Sequence, residues 1–348
     1  MKEDIITAEK MMRRCLQLAA RGAGSVAPNP MVGAVLVYGE RIIGEGWHAR
    51  YGEAHAEVNC LESVTKEDRP LISASTLYVS LEPCAHHGKT PPCADRIIRE
   101  RIPRVVIGCT DTFAEVAGKG IGKLRSAGVA VETGVLETEC RYINRRFFTF
   151  HEQRRPYVML KWARTPEGAV ACADGAALKI SGDSTDRLVH RWRSEEAAIL
   201  VGSGTVLSDD PLLTTRYWSG SSPLRIVLDR RLRIPEKARL LQDGGPTWIF
   251  SGLKTGKRGA VEWIAADPDA FPETVLQELY RRKVQSVLVE GGPAVLQSFL
   301  DHGCWDEARV ITGQVSLPGG IREPACSHWK LGEHALLHGD EINTYYPA

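Results

Sequence analysis

Apolar and polar positions follow two periods along this chain. From Ile6 to Arg21, ITAEKMMRRCLQLAAR spaces its apolar residues three and four apart, the repeat of a helix with one buried face. MVGAVLVY (Met31–Tyr38) is a short apolar run rich in valine and predicts a buried strand. RIIGEGW follows after Gly39-Glu40, which predicts a hairpin. The blocks then alternate. HAEVNCLESV, CADRIIRERI and GIGKLRSAG read as helices, the second opened by Pro91-Pro92 and the third closed by glycine. STLYVSL, RVVIGC and VAVET read as strands. This is the pattern of a three-layer α/β domain with crossover helices.

A basic and aromatic stretch, ECRYINRRFFTFHEQRRP, reads as one helix running to Pro156. The boundary is expected near residues 148–156, with one domain over 1–150 and a second over 151–348. The second half opens on the strand PYVMLKWA. It continues through AAILVGSGTVL, LRIVLD, TWIF, QSVLVEGG and WDEARVITG, all read as strands of a second α/β sheet. The helices TDRLVHRWRSEE and PAVLQSFLDHG lie between them, and neither a repeat nor a low-complexity tract interrupts the pattern. A chain of 348 residues is too long for one ordinary core and suits two domains.

Composition narrows the function less than pattern does. Apolar residues are 43% and charged residues 25%, ordinary for a globular protein. A net charge of +1 gives no pull towards nucleic acid or a membrane surface. No apolar run approaches the roughly 20 residues needed to span a bilayer. The start, MKEDIITAEKMMRRC, lacks the apolar core of a signal peptide, which predicts a cytoplasmic protein. Nine scattered cysteines argue for buried or ligating thiols over a disulfide framework.

Chemistry enters with HAEVNC (His55–Cys60) and EPCAHHGKTPPC (Glu82–Cys93). On its own, His-x-Glu marks an ordinary surface helix, and a lone Pro-Cys is as weak. Together and in this order they match the His-x-Glu and Pro-Cys pattern of zinc nucleobase deaminases. A catalytic zinc takes three protein ligands and leaves one position open, and His55, Cys84 and Cys93 supply them. Glu57 is then not a ligand but a general acid and base that moves a proton to a leaving amine. Eight residues separate the two cysteines where the short pattern has two. That insert carries His86, His87 and Lys89. The two histidines are alternative ligands or substrate contacts, and substrate contact is the better reading.

PNPMVGAVLV, HAEVN, LEPCAHHGKTPPC and DTFAEVAGKGIGKL closely resemble the deaminase domain of the bifunctional riboflavin-biosynthesis deaminase-reductases. The resemblance runs over nearly the whole chain. It implies a cytidine-deaminase-like α/β/α sandwich and a pyrimidine substrate bearing ribose 5-phosphate, contacted by Asn29, His86, Lys89 and Asp111. Lys89 suits a phosphate or a polarised carbonyl. The family often has an asparagine where this chain has Phe113, which removes one polar contact.

In the second half, VLVEGGPAVLQSFL runs from a strand through Gly291 and Gly292 into a helix opened by Pro293. Such a turn offers backbone N–H groups to a phosphate, though purely structural turns look the same. AILVGSGTVLSDDPLLTTR (Ala198–Arg216) resembles the reductase domain of the same family, whose fold is similar to dihydrofolate reductase. The resemblance implies NADPH against Ala163, Lys179, Thr205, Asp209, Gly291, Gly292 and Pro293. It implies the sugar-phosphate substrate against Arg193, Leu213, Arg216 and Glu290; without it, Arg193 reads as a solvated helix charge. Two arginines suit a phosphate because the guanidinium fork matches its oxygens. Arg230 and Arg231, after LRIVLD, are candidates for the 2′-phosphate of NADPH. This half departs from the family in having Thr165-Pro166-Glu167-Gly168 in place of Ser-Leu-Asp-Gly, and Lys179 in place of a tryptophan.

The expected protein is thus a two-domain riboflavin-pathway enzyme, one zinc per deaminase domain and NADPH in the other. It would act on a small pyrimidine ribosyl phosphate, without nucleic acid or membrane, as a homodimer or larger homo-oligomer. The rivals are a deaminase of another base or nucleoside with a binding-only reductase half, and a module in which zinc is structural.

Overall fold

The computed structural model describes residues 2–85, 91–112, 118–267 and 270–348. The chain divides into two compact units, Met1–Arg154 and Arg155–Ala348.

Unit 1 contains, in chain order, α1 (Lys2–Ala19), β1 (Gly33–Tyr38), β2 (Arg41–Trp47), α2 (Ala56–Glu62), β3 (Thr76–Leu81) and α3 (Cys93–Arg99). It continues with β4 (Arg104–Cys109), α4 (Lys119–Ser126), β5 (Ala130–Thr133), α5 (Glu137–Ile143) and α6 (Arg145–Glu152). The sheet order is β2-β1-β3-β4-β5. The β1–β2 hairpin is antiparallel, β1 and β3 are antiparallel, and β3, β4 and β5 run parallel. Strand periodicity sends alternate residues to opposite faces. Ala34, Leu36, Leu77, Val79, Val105 and Ile107 pack against α2, α3 and α4. Val35, Val37, Tyr78, Leu81 and Val106 pack against α1, α5 and α6. This is an α/β/α sandwich.

The stretch expected as one helix up to Pro156 is two, α5 and α6, broken at Asn144. Asn144 is buried and its carboxamide is bonded to another segment. Oδ1 accepts the Met31 N–H at 2.7 Å and Nδ2 donates to Met31 O at 2.9 Å. A side chain that pins Met31 outweighs helix continuity there.

Unit 2 contains β6 (Tyr157–Arg164), β7 (Ala169–Ala171), α7 (Asp183–Glu195), β8 (Ala198–Gly202), α8 (Ser203–Asp209), β9 (Leu224–Leu228) and α9 (Arg239–Gln242). It continues with β10 (Thr247–Ser251), β11 (Gly256–Arg258), β12 (Val261–Ala265), α10 (Glu273–Arg281), β13 (Ser286–Val289) and α11 (Pro293–Asp301). The last elements are β14 (Glu307–Thr312), β15 (Ile321–Arg322), β16 (Trp329–Leu337) and β17 (Asp340–Pro347). Ten strands form one sheet, β11-β12-β10-β9-β8-β13-β6-β14-β17-β16. Its middle, from β12 to β14, is parallel, and β11, β17 and β16 add antiparallel edges. The central strands are apolar on both faces, as strands covered on both sides must be. Leu200, Val287 and Val289 enter one core and Ile199, Val201 and Val227 another.

One expectation changes here, and one hairpin was not foreseen. AAILVGSGTVL is a strand only to Gly202, and Ser203 opens helix α8. The hairpin β16–β17 carries no alternating signal, because β16 exposes both faces over most of its length.

Candidate active sites

In unit 1 the parallel strands β3 and β4 deliver their C-terminal ends to one edge of the sheet, the usual place for a site in such folds. Cys84 lies three residues beyond β3, and Cys93 is the first residue of α3. His55 caps the start of α2 with extended backbone, and Glu57 follows in its first turn. Gly46 makes this possible, because α2 lies directly on β2. A Cβ at Gly46 would sit 2.2 Å from Cys60 N and 2.6 Å from Ala56 O.

The ligand atoms of His55, Cys84 and Cys93 all lie within 4.8 Å of one another. His55 Nδ1 is 3.6 Å from Cys84 Sγ and 3.4 Å from Cys93 Sγ. A tetrahedral zinc with Zn–S near 2.3 Å and Zn–N near 2.05 Å would place nitrogen and sulfur about 3.6 Å apart. One imidazole and two thiols are also donors that zinc favours. The residues fit the ion.

The electrostatics match. The Cys93 thiol, His55 and the Cys93 backbone N–H, 3.3 Å from Cys84 Sγ, hold Cys84 down at about 4. Cys93 goes up, through the bond it shares with Cys84 and through burial. The bond to Cys84 raises His55. Glu57 is 3% exposed, and burial, followed by the Cys84 charge, pushes it up to about 7. A carboxyl poised there both takes and gives a proton near neutral pH.

Asn29 is tied to this cluster through His48, a residue the sequence reading passed over. His48 Nδ1 lies 3.0 Å from Ala54 O, so it carries the proton. Nε2 then accepts from Asn29 Nδ2 at 3.1 Å. The His48 ring stands edge-on to His55 with centroids 5.4 Å apart. Asp111 is buried, two residues beyond β4, and a second unread residue holds it. The Glu82 carboxylate accepts backbone N–H groups from Asp111 (3.3 Å), Gly118 (3.1 Å), Gly120 (2.9 Å) and Ile121 (3.2 Å). His86, His87, Lys89 and Phe113 lie outside the described residues.

In unit 2 the parallel neighbours β8, β13 and β6 build the second site. Glu290 follows β13, and its N–H bonds Leu200 O at 2.9 Å. Arg193 on α7 grips it with two bonds, Nε to Oε1 at 2.7 Å and Nη2 to Oε2 at 2.9 Å. The β13–β6 register pairs Val289 with Leu160, so Lys161 comes level with Glu290, and their charged atoms are 3.7 Å apart. Burial alone would raise Glu290, but Arg193 and Lys161 outweigh it and hold it at about 2. Burial pulls Lys161 down, against the attraction of Glu290. Lys161 was missed, although a lone lysine inside the apolar run YVMLKWA was a visible signal.

The turn after β13 faces the turn after β8. Gly292 caps α11 with Pro293 in its first turn. A Cβ at Gly292 would lie 3.9 Å from Thr205 Oγ1, and one at Gly291 2.8 Å from Val295 Cβ. Two βα turns, one lined by a hydroxyl and one stripped of side chains, suit the phosphates of a dinucleotide. Asp209 ends α8 and accepts the Ser208 hydroxyl at 2.7 Å. Ala163 lies near the end of β6 and packs beside Val189 and Trp192. Lys179 is exposed and paired with Asp183 at 2.5 Å and Asp186 at 3.5 Å.

Leu213 is buried with left-handed backbone, φ 57°, and Arg216 lies three residues on, its guanidinium 5.0 Å from the Tyr217 ring centre. Arg230 stacks over Phe271, while Arg233 reaches the Ser203 hydroxyl at the start of α8 at 2.9 Å. The departure at Glu167 has a local use. Its carboxylate accepts from the Ser316 hydroxyl at 2.6 Å and Leu317 N–H at 3.1 Å, tying that loop to the end of β6.

Residues 5–109 match the cytidine and deoxycytidylate deaminase zinc-binding region, and residues 156–328 match the RibD C-terminal domain. The riboflavin biosynthesis protein RibD of Aquifex aeolicus is 39% identical over 316 residues, 89% of this chain and 88% of that one. RibD of Bacillus amyloliquefaciens is 39% identical over 328 residues, 91% of this chain and 87% of that one. The crystal structure of a diaminohydroxyphosphoribosylaminopyrimidine deaminase/5-amino-6-(5-phosphoribosylamino)uracil reductase from Thermotoga maritima superposes with a TM-score of 0.91 at 36% identity. That match covers 99% of this chain and 100% of the other. With likeness running through both units, the chain belongs to the RibD family of riboflavin biosynthesis, bifunctional enzymes that join a zinc deaminase to an NADPH-dependent reductase.

Proposed function

We propose that unit 1 deaminates the diaminopyrimidinone ribosyl 5′-phosphate, and that unit 2 then reduces the ribosyl group of the aminouracil product to ribityl. The observation that carries this reading is the His55–Cys84–Cys93 trio with buried Glu57 beside it. A structural zinc has four protein ligands and needs no acid or base. His55 Nδ1, Cys84 Sγ and Cys93 Sγ would hold the zinc, which would supply a Lewis acid that lowers the pKa of a water. Glu57 accepts a proton as water attacks the amine-bearing ring carbon, and returns it to the departing ammonia. Asn29 and Asp111, with His86 and Lys89 from the sequence between Cys84 and Cys93, orient the pyrimidine and its phosphate.

In unit 2, Thr205, Asp209, Gly291, Gly292 and Pro293, with Ala163 and Lys179, would hold NADPH. Hydride is the cofactor's to give. The chain's part is to hold the sugar carbon against it. Arg216 meets the substrate phosphate, and Leu213 packs beside it. Arg193 is already bonded twice to Glu290, so it acts by fixing that carboxylate near the sugar. Arg233, at the α8 turn, joins Arg230 and Arg231 as a candidate for the 2′-phosphate.

We also infer a cytoplasmic homo-oligomer. Among the described residues no helix is long and apolar enough to cross a membrane. The outermost strand, β16, exposes Leu331 and Leu336 on an edge with no further strand beside it among the described residues.

Replacing Glu57 by Gln tests the acid–base role. Ammonia release should fall at least 10²-fold, with zinc content and NADPH oxidation on deaminated substrate unchanged. Ammonia release within a few-fold of the parent enzyme would refute it.

A further inference from the structure

The segment from Asp210 to Arg216 has no regular structure and passes twice through left-handed backbone, at Asp210 (φ 38°) and Leu213 (φ 57°). Non-glycine residues hold such angles only when their surroundings impose them. Side chains from elsewhere supply the constraint. Leu212 O accepts from Arg225 Nη1 at 3.3 Å, and Thr214 O accepts from Arg193 Nη1 at 3.4 Å. Thr215 N–H donates to Ser222 Oγ at 3.1 Å, and Arg216 N–H donates to His190 Nδ1 at 3.0 Å.

His190 sits one turn before Arg193 on α7, so the two side chains leave the same face of the helix. One holds Thr214 by its carbonyl, the other holds Arg216 by its N–H. His190 is 3% exposed, and its ring lies 4.7 Å from that of Tyr217. To accept at Nδ1 the imidazole must be neutral with its proton on Nε2. Arg193 and Arg216 oppose a further proton, while Glu290 and Asp186 favour one; burial and the two arginines prevail and push His190 down to about 4. The ring therefore stays an acceptor at neutral pH.

We propose that His190 is a positioning residue of the reductase, fixing through the Arg216 N–H the backbone that presents the Arg216 guanidinium to the substrate phosphate. This rests on the reading of Arg216 given above. The sequence hides it, because His190 and Arg216 are far apart in the chain and meet only in the fold.

The test is steady-state kinetics of NADPH oxidation on the full-length enzyme, with deaminated substrate and with the same compound lacking its phosphate. His190→Leu removes the acceptor, while His190→Asn keeps an oxygen near the place of Nδ1. Losing one such bond should raise the KM for the phosphorylated substrate about tenfold, with little change in kcat or in the KM for NADPH. H190N should stay within about threefold of the parent. The penalty should vanish on the phosphate-free compound, and H190L should add little in an Arg216→Met background. A tenfold KM rise that persists without the phosphate, or an H190N as poor as H190L, overturns the proposal. An R216M enzyme with unaltered KM instead overturns the reading of Arg216 beneath it. If H190L does not fold, His190→Gln takes its place, because its carboxamide reaches the position of Nε2 and not that of Nδ1. Its KM for the phosphorylated substrate should rise about tenfold where that of H190N does not, and equal values for the two variants overturn the proposal.

Discussion

Glu57 and Glu290 are both buried carboxyls, yet their surroundings drive them apart. Burial, reinforced by the neighbouring Cys84 thiolate, raises Glu57 to about 7, where it can exchange protons. Glu290 has Arg193 and Lys161 and is held at about 2, a fixed negative charge. The second case makes a stability prediction. An unfolded glutamate titrates near 4.3, so the folded value is depressed. The stabilisation is complete above about pH 4.3 and is lost as pH falls through about 2. The difference of roughly two units corresponds to about 3 kcal/mol. Urea unfolding of unit 2 between pH 5 and pH 3 should lose stability more steeply in the parent than in Glu290→Gln. Equal slopes would mean that Glu290 is not held ionised. At this scale the sequence showed His55, Glu57, Cys84 and Cys93 because helix starts and strand ends mark them. His48, Glu82 and His190 were hidden, since each works through residues that only the fold brings beside it, whereas Lys161 stood out as a lone lysine in an apolar strand.

At the scale of elements, the unit 1 strands and helices were legible because each apolar run faces a helix on one side or the other. The failures have physical causes. Asn144 looks like an ordinary helix residue until it is seen holding Met31 by both backbone groups. Gly202 ends a strand inside a run that still reads as apolar. β16 was invisible because little of it is buried, so its sequence, WKLGEHALL, is under no alternating constraint from this chain. An exposed edge strand invites pairing with another chain, and the Leu336 side chain, 72% exposed, lies on it. Sedimentation of the parent enzyme should give a homo-oligomer, and Leu336→Glu should shift it towards monomer at micromolar concentration. A parent that sediments as a monomer, or an L336E that associates unchanged, would place any assembly elsewhere or nowhere.

At the scale of the molecule, two units with separate cores carry two chemistries. The candidate zinc ligands His55, Cys84 and Cys93, with Glu57, belong to the first unit, and the Lys161–Glu290–Arg193 cluster with the two βα turns belongs to the second. The near-zero net charge suits an enzyme whose anionic small substrate is recognised by a few placed cations rather than by a charged surface. The most direct test removes the zinc and follows ammonia release and NADPH oxidation separately on the same protein. Chelation should abolish ammonia release and leave NADPH oxidation on pre-deaminated substrate intact, and one zinc per chain should restore the first activity. Ammonia release that survives in metal-free protein, or NADPH oxidation that disappears with the zinc, would contradict this account of two independent sites.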